Sequence, residues 1–163
     1  MAFTTINDPS KHMQIAIYTG NGSSQSITFG GNSDMQPDML WTKCRDDNFD
    51  PIIRDSQRGI ANRLLVHATD GHGGATGTTS FDSDGFSLDS TGTVNANTQT
   101  FVAWGWKGNG GTTSSDSNGD QTSTVQVNTT AGFSIATFAA SSSAGQTVGH
   151  GLGSAPDMYI WKS

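Results

Sequence analysis

An all-β fold, an antiparallel β-sandwich or jelly roll, is what this chain predicts, on three observations. All 14 acidic residues are Asp and none is Glu. Asp favours turns and caps, whereas Glu favours helix interiors. Lys is scarce as well, so the Glu–Lys pairs that support surface helices are missing. Finally, short runs rich in β-branched and aromatic residues alternate with Gly, Asn, Asp and Pro turn signals, the pattern of sandwiches and jelly rolls.

Residues 1–12 are expected to form an N-terminal arm, with Asn7-Asp8-Pro9 as a turn. A β-sandwich unit follows over 13–107. Its first strand spans Met13 to Thr19 and places Met13, Ile15 and Ile17 on one face. Ser26 to Phe29 and Met39 to Cys44 come next, then the shorter candidates Ile52-Ile53 and Leu64 to Ala68. Phe81, Phe86 and Leu88 flank Asp82-Ser83-Asp84-Gly85 as a hairpin. Thr100 to Lys107 alternates Val102, Trp104 and Trp106 with Phe101, Ala103 and Gly105; Trp104 and Trp106 are expected in the core. Residues 108–124 read as a polar linker or loop. Residues 125–163 read as the start of a second, incomplete repeat, in which Val125 and Val127 pair with Phe133 and Ile135.

The repeat is visible directly. Gln14-Ile15-Ala16-Ile17-Tyr18 is echoed by Ser134-Ile135-Ala136-Thr137-Phe138, and Pro37-Asp38-Met39-Leu40-Trp41-Thr42-Lys43 by Pro156-Asp157-Met158-Tyr159-Ile160-Trp161-Lys162. The spacing between the two motifs agrees to within one residue in both copies, giving a period of about 120 residues. A fragment this short cannot bury a core alone. Its strands are therefore expected to dock on the first unit or on a neighbour, with either a longer tandem array or completion of another domain as the reason.

Composition bounds the function. Hydrophobic residues make up 33%, and 21 glycines restore a usual apolar share. A net charge of -6 and no dense Lys/Arg cluster argue against nucleic acid, although Arg45, Arg54, Arg58 and Arg63 share one region. The single Cys44 excludes an internal disulfide framework and reads as an inert buried thiol. No signal peptide, lipidation motif or membrane-spanning run is present, so membrane insertion is not expected.

Candidate chemistry is weak. Asp82-Ser83-Asp84-Gly85 resembles the start of a calcium loop but lacks further acidic positions, and a hairpin turn is favoured. The tract around Asp116 and Asp120 reads as a solvated turn. His67 and His72 lack a convincing third ligand. His150 is expected to fix the Gly149–Gly153 turn through a backbone hydrogen bond, with Leu152 inserting into the core. Trp41, Trp104, Trp106 and Trp161 raise the question of sugar stacking, but their strand placement favours packing. No paired carboxylates suit glycoside hydrolysis and no Gly-x-Ser-x-Gly elbow exists. No catalytic residue, metal ligand or cofactor site is therefore assigned.

The combination Phe3-Thr4-Thr5-Ile6-Asn7-Asp8-Pro9, Tyr18-Thr19-Gly20-Asn21-Gly22 and Gln36-Pro37-Asp38 resembles a repeat domain of tailed bacteriophages, especially marine ones. Thr79-Ser80-Phe81-Asp82-Ser83-Asp84-Gly85-Phe86 and Val102-Ala103-Trp104-Gly105-Trp106-Lys107 add to it. Thr129-Thr130-Ala131-Gly132-Phe133-Ser134-Ile135 and Gly149-His150-Gly151-Leu152-Gly153-Ser154-Ala155-Pro156-Asp157 are similar to the opening of that family's next repeat. The resemblance implies a concanavalin-like β-sandwich in a non-enzymatic virion structural protein, a tail-fibre or appendage anchoring module, made in the host cytoplasm. Expected partners are other virion proteins and copies of the chain, a trimer being preferred. A capsid decoration protein and a lectin-like module for host surface glycans are the alternatives.

Overall fold

The computed structural model describes residues 5–69, 73, 74 and 76–162. Along these the regular structure is nearly all strand: β1 (Met13–Thr19), β2 (Gln25–Ile27), β3 (Met39–Cys44), β4 (Ile52–Asp55), β5 (Leu64–Leu65), β6 (Thr78–Asp82), β7 (Gly85–Leu88), β8 (Thr100–Trp106), β9 (Ser114–Asp116), β10 (Ser123–Asn128) and β11 (Phe133–Phe138). A 3-10 turn at Pro9–Lys11 and one helical turn, α1 (Gly92–Asn95), complete the elements. Asp8 caps the 3-10 turn by accepting from the Ser10 N–H at 3.0 Å, and Pro9 presets its first dihedral. Residues 1–4 of the expected arm lie outside the described residues.

Every strand ladder is antiparallel, and they assemble into three sheets: β1-β8-β3-β4-β5, β2-β7-β6 and β11-β10-β9. The all-β, antiparallel expectation holds. The β6–β7 hairpin turns at Ser83-Asp84, with Asp82 paired to Gly85. β10 and β11 form a hairpin as expected, but one residue out of the expected register: Val125 pairs with Ala136 and Val127 with Ser134, so Ile135 and Phe133 stand opposite Gln126 and Asn128 instead of the two valines. Within 108–124, the stretch with linker composition, Ser114–Asp116 is a strand and the last two residues belong to β10.

The five-stranded sheet has two apolar faces. In register, Gln14, Gly105, Leu40 and Arg54 form one row, Ala16, Ala103, Thr42 and Ile52 a second, and Tyr18, Phe101 and Cys44 a third. All of these are buried and face the sheet β2-β7-β6, whose Phe86 and Leu88 join Phe29, Met35 and Val94 in one core. Tyr18 stacks on Phe101 with centroids 5.2 Å apart and meets Phe86 edge-on at 5.8 Å. Its hydroxyl donates to the Val94 carbonyl at 2.7 Å, and burial pushes its ionisation far above the ordinary value. Cys44 lies at the floor of this core, buried as expected.

Trp104 and Trp106 are not in this core, contrary to the sequence expectation. They lie on the outer face with Ile15, Ile17, Val102, Met39 and Trp41, all at least partly exposed. The reason is room. A Cβ on Gly105 would sit 2.6 Å from Phe29 Cζ, so the inner face of β8 has space only for small residues beside Phe101. The indoles take the side where no sheet lies fully over them. Trp41 and Trp104 pack together at 5.9 Å, and Trp106 stacks on Phe133 of β11 at 6.4 Å.

Arg54 is the largest fully buried side chain, at 1% exposure. Its guanidinium donates to the carbonyls of Ile60, Gly74 (3.0 Å) and Thr76. Burial, with Arg63 and Arg58 nearby and Asp89 opposing, lowers its proton affinity below the usual arginine value. The strand β4 thus organises the irregular chain beyond it through carbonyls rather than through a counter-ion.

Two substitutions test which face is core. Phe101→Ala should cost about 3–5 kcal/mol in urea denaturation, because Phe101 is fully buried. Ile17→Ala, at a side chain 67% exposed, should stay within about 0.5 kcal/mol. Equal effects would mean the faces are inverted.

Candidate functional site

The most developed polar site is built around Asp38, which precedes β3 and is 1% exposed. Its backbone is placed by two ladder-like bonds: its N–H donates to the Trp106 carbonyl at 2.8 Å, and its carbonyl accepts from Ser56 N–H at 2.8 Å. Its carboxylate accepts from the backbone N–H groups of Gly108 (2.8 Å), Gly110 (3.0 Å) and Gly111 (3.0 Å). The Ser56 hydroxyl donates at 2.8 Å, and the Lys107 ammonium stands 3.4 Å away. Successive N–H groups converging on one anion form a concave nest, and Gly110 and Gly111 adopt the positive φ values (62° and 78°) that such a turn uses.

Gln126 of β10 closes the same knot. It is fully buried; its carbonyl oxygen accepts from Asn109 N–H (2.9 Å) and Gly111 N–H (3.0 Å), and its amide donates to Ser56 Oγ at 2.9 Å. A Cβ on Gly108 would meet Gln126 Oε1 at 2.7 Å, so the approach requires glycine there. Beside the knot, Asn128 donates to the Lys107 carbonyl at 3.1 Å, and Gln57 reaches across to Thr124 and Thr137. The Lys-Gly-Asn-Gly-Gly stretch after β8, which the composition alone presents as flexible, is therefore pinned between the first unit and the third sheet.

The other candidates resolve as follows. Asp82 accepts from the Ser80 and Ser87 hydroxyls, both at 2.6 Å, and Asp84 accepts from Met35 N–H at 3.2 Å. These carboxylates serve the hairpin. Asp116 is tied to Asn118 by two bonds of 2.9 and 2.7 Å and lines an open depression of about 360 Å³ together with Ser114, Val125, Thr129 and Gly151. His67 pairs with Asp50 at 3.2 Å; His72 lies outside the described residues. Among the described residues, no group of three or more His, Cys or Asp side chains is placed to hold a metal ion. His150 accepts from Leu152 N–H at 3.3 Å, the expected turn-fixing contact. Leu152 itself is only partly buried and is not among the residues packed in the main core.

The second candidate surface is the outer apolar face. Ile15 is 52% and Ile17 67% exposed on β1, at the edge of the five-stranded sheet. At the opposite edge, Ile160 and Trp161 line a small cleft with Ile53, Leu64 and Val66. Met158, Tyr159, Ile160 and Trp161 nevertheless remain 53% to 83% exposed and enter no ladder. Four large apolar side chains in a row thus stand at the surface, where exposed apolar residues are ordinarily scattered singly.

Replacing Asp38 by Ala leaves the N–H groups of Gly108, Gly110 and Gly111, the first of them buried, and the Lys107 charge without their acceptor. It should cost about 3–5 kcal/mol and render residues 108–128 cleavable by protease before global unfolding; a mutant as stable and as resistant as the parent would exclude the knot as an anchor. Acid should also loosen the fold. Burial pushes the Asp89 carboxyl up, but N–H donors from Gly77 (2.9 Å) and Thr91 (2.7 Å) outweigh it and hold it below the usual carboxylate range. Asp116 is held low chiefly by the Asn118 N–H. A lowered folded value gives stability that is present above the unfolded value, about 3.9, and is lost as pH falls through the folded one. The thermal midpoint should therefore be flat down to about pH 5 and fall below about pH 4, less steeply in Asp89→Asn.

No curated protein and no solved structure matches the chain. Residues 8–163, which take in the knot, the outer face and the repeated C-terminal segment, match one family, described as a domain of unknown function, DUF7483. The chain belongs to the DUF7483 family.

Proposed function

We propose that the chain is a non-enzymatic structural module of a bacteriophage virion, an anchoring module of a tail fibre or appendage, with the concanavalin-like sandwich its resemblance implies. It is made in the host cytoplasm and assembles with other virion proteins and with further copies of itself, a trimer being the preferred state. One observation supports this most: the opening strands of the second repeat are locked onto the first unit through Asp38, Ser56, Gln126 and the glycine loop. A buried, hydrogen-bonded joint fixes the orientation between successive units, as a load-carrying array requires and a free linker does not provide. The best-built polar groups of the chain are consumed in this joint, each facing a partner rather than an open cleft.

A glycan-binding role has a specific observation in its favour as well. Trp41 and Trp104 lie together on the outer face rather than in the core, where a sugar ring can stack on an amphipathic indole. Glycan-array binding that is lost in Trp104→Ala would carry that reading.

Immunogold electron microscopy of virions of a phage encoding the chain tests the leading one. Label along a fibre or appendage is expected. Label confined to the capsid shell would transfer the assignment to a decoration protein, and unlabelled virions would overturn a virion role altogether.

A further inference from the structure

We infer that Asn118-Gly119 is a self-modifying site, at which the chain converts its own asparagine to aspartate or iso-aspartate and so loosens the turn that docks the end of β9 on residues 147–149. The inference does not rest on the virion role.

Three Asn-Gly pairs occur in the chain, at Asn21-Gly22, Asn109-Gly110 and Asn118-Gly119. Each carries the same latent chemistry, since glycine has no Cβ to hinder its own nitrogen. That nitrogen attacks the asparagine Cγ and loses its proton to solvent. A five-membered imide closes, and the side-chain nitrogen takes up a proton and leaves as ammonia. Water then opens the imide at one carbonyl or the other, giving aspartate or iso-aspartate. The ring closes only if the glycine nitrogen swings toward Cγ. An N–H held by an acceptor must therefore be released first, by a local opening of the fold.

The structure holds two of the three nitrogens. Gly22 N–H donates to the Asn95 carbonyl at 2.9 Å, and Asn21 Oδ1 accepts from Ser23 N–H at 2.8 Å. Gly110 N–H donates to the buried Asp38 carboxylate at 3.0 Å, with Asn109 N–H held by Gln126 at 2.9 Å. Gly119 N–H, by contrast, donates to no group among the described residues. Asn118 is exposed, in a bend outside every strand. Its amide nitrogen donates to Asp116 Oδ1 at 2.7 Å, which fixes the side chain on the turn and leaves the attacking nitrogen unengaged.

The glycine of this pair is required by packing. A Cβ on Gly119 would lie 2.6 Å from the Thr147 carbonyl oxygen and 2.8 Å from Gly149 N. The close approach that demands glycine thus also supplies the reactive pair. The product then disturbs the same contact. A carboxylate replaces the amide that donated to Asp116, setting two like charges side by side. An iso-aspartyl link also adds a carbon to the main chain just before Gly119, which has no room toward Thr147. Docking of this segment depends on Gln121 N–H to the Thr147 carbonyl at 3.0 Å, and on Thr147 N–H and hydroxyl to Asp120 at 3.0 and 2.8 Å.

The test is peptide mapping of the full chain by mass spectrometry after incubation in mildly alkaline buffer, folded and in urea, following the exchange of NH2 for OH at each pair. In urea the three pairs should react at similar rates. In the folded protein Asn118 should stay within about 10-fold of its rate in urea, while Asn21 and Asn109 slow by about 100-fold or more. A folded protein in which Asn118 is not the fastest of the three would overturn the site. Asn118→Asp, which sets one product's charge in place from the start, should lower the thermal midpoint at neutral pH by about 2 °C or more. A midpoint equal to the parent's would overturn the loosening of the turn.

Discussion

A carboxylate taken out of water costs several kcal/mol unless donors replace its hydration, and Asp38 meets that requirement with a fixed arrangement of three backbone N–H groups, one hydroxyl and one ammonium. The donors come from the end of β8 and from the turn after β4, while Gln126 ties the same atoms to β10. Three separate parts of the chain are thereby forced into one geometry. Moving any of them strands the buried Asp38 carboxylate and the buried Gln126 amide. The position of the third sheet, the path of the glycine loop and the end of β8 all follow from this knot.

The five-stranded sheet shows a different kind of constraint. Both of its faces are apolar, and it is steric room that decides which one becomes core. Gly105 and Ala103 leave space for the rings of Phe29, Phe86 and Phe101, so the indoles of Trp104 and Trp106 are displaced outward. The outward face is then capped at one end by Phe133 and at the other by Ile160 and Trp161, and left open at Ile15 and Ile17. The cover of this face is therefore uneven, complete at neither edge strand.

Period-2 alternation and turn residues made most strands legible in the sequence, including the β6–β7 and β10–β11 hairpins. Alternation separates two faces but does not say which is buried when both are apolar, which is why Trp104 and Trp106 fall on the side opposite to the expected one. The knot was less legible. Lys107-Gly108-Asn109-Gly110-Gly111 has the composition of a linker, and nothing local marks its N–H groups as converging on a residue 70 positions away. The signal that did exist was the repeat: Pro-Asp before a strand occurs twice, and an aspartate kept in both copies of a degenerate motif is worth asking what it accepts from. Arg54 carried no such signal, since its carbonyl partners lie in irregular chain.

A polar joint between units has a consequence that an apolar one lacks. Apolar surfaces associate in many registers at similar energy, because dispersion and water release depend on area more than on direction. A carboxylate in a nest of N–H groups is satisfied in one orientation only, and a shift by one residue leaves it unpaired at a cost of several kcal/mol. Residues such as Trp106 and Phe133 supply attraction across the joint, while Asp38 and Gln126 select its geometry. Within this chain the glycine turn after β8 and the aspartate ahead of β3 are the two halves of that selection.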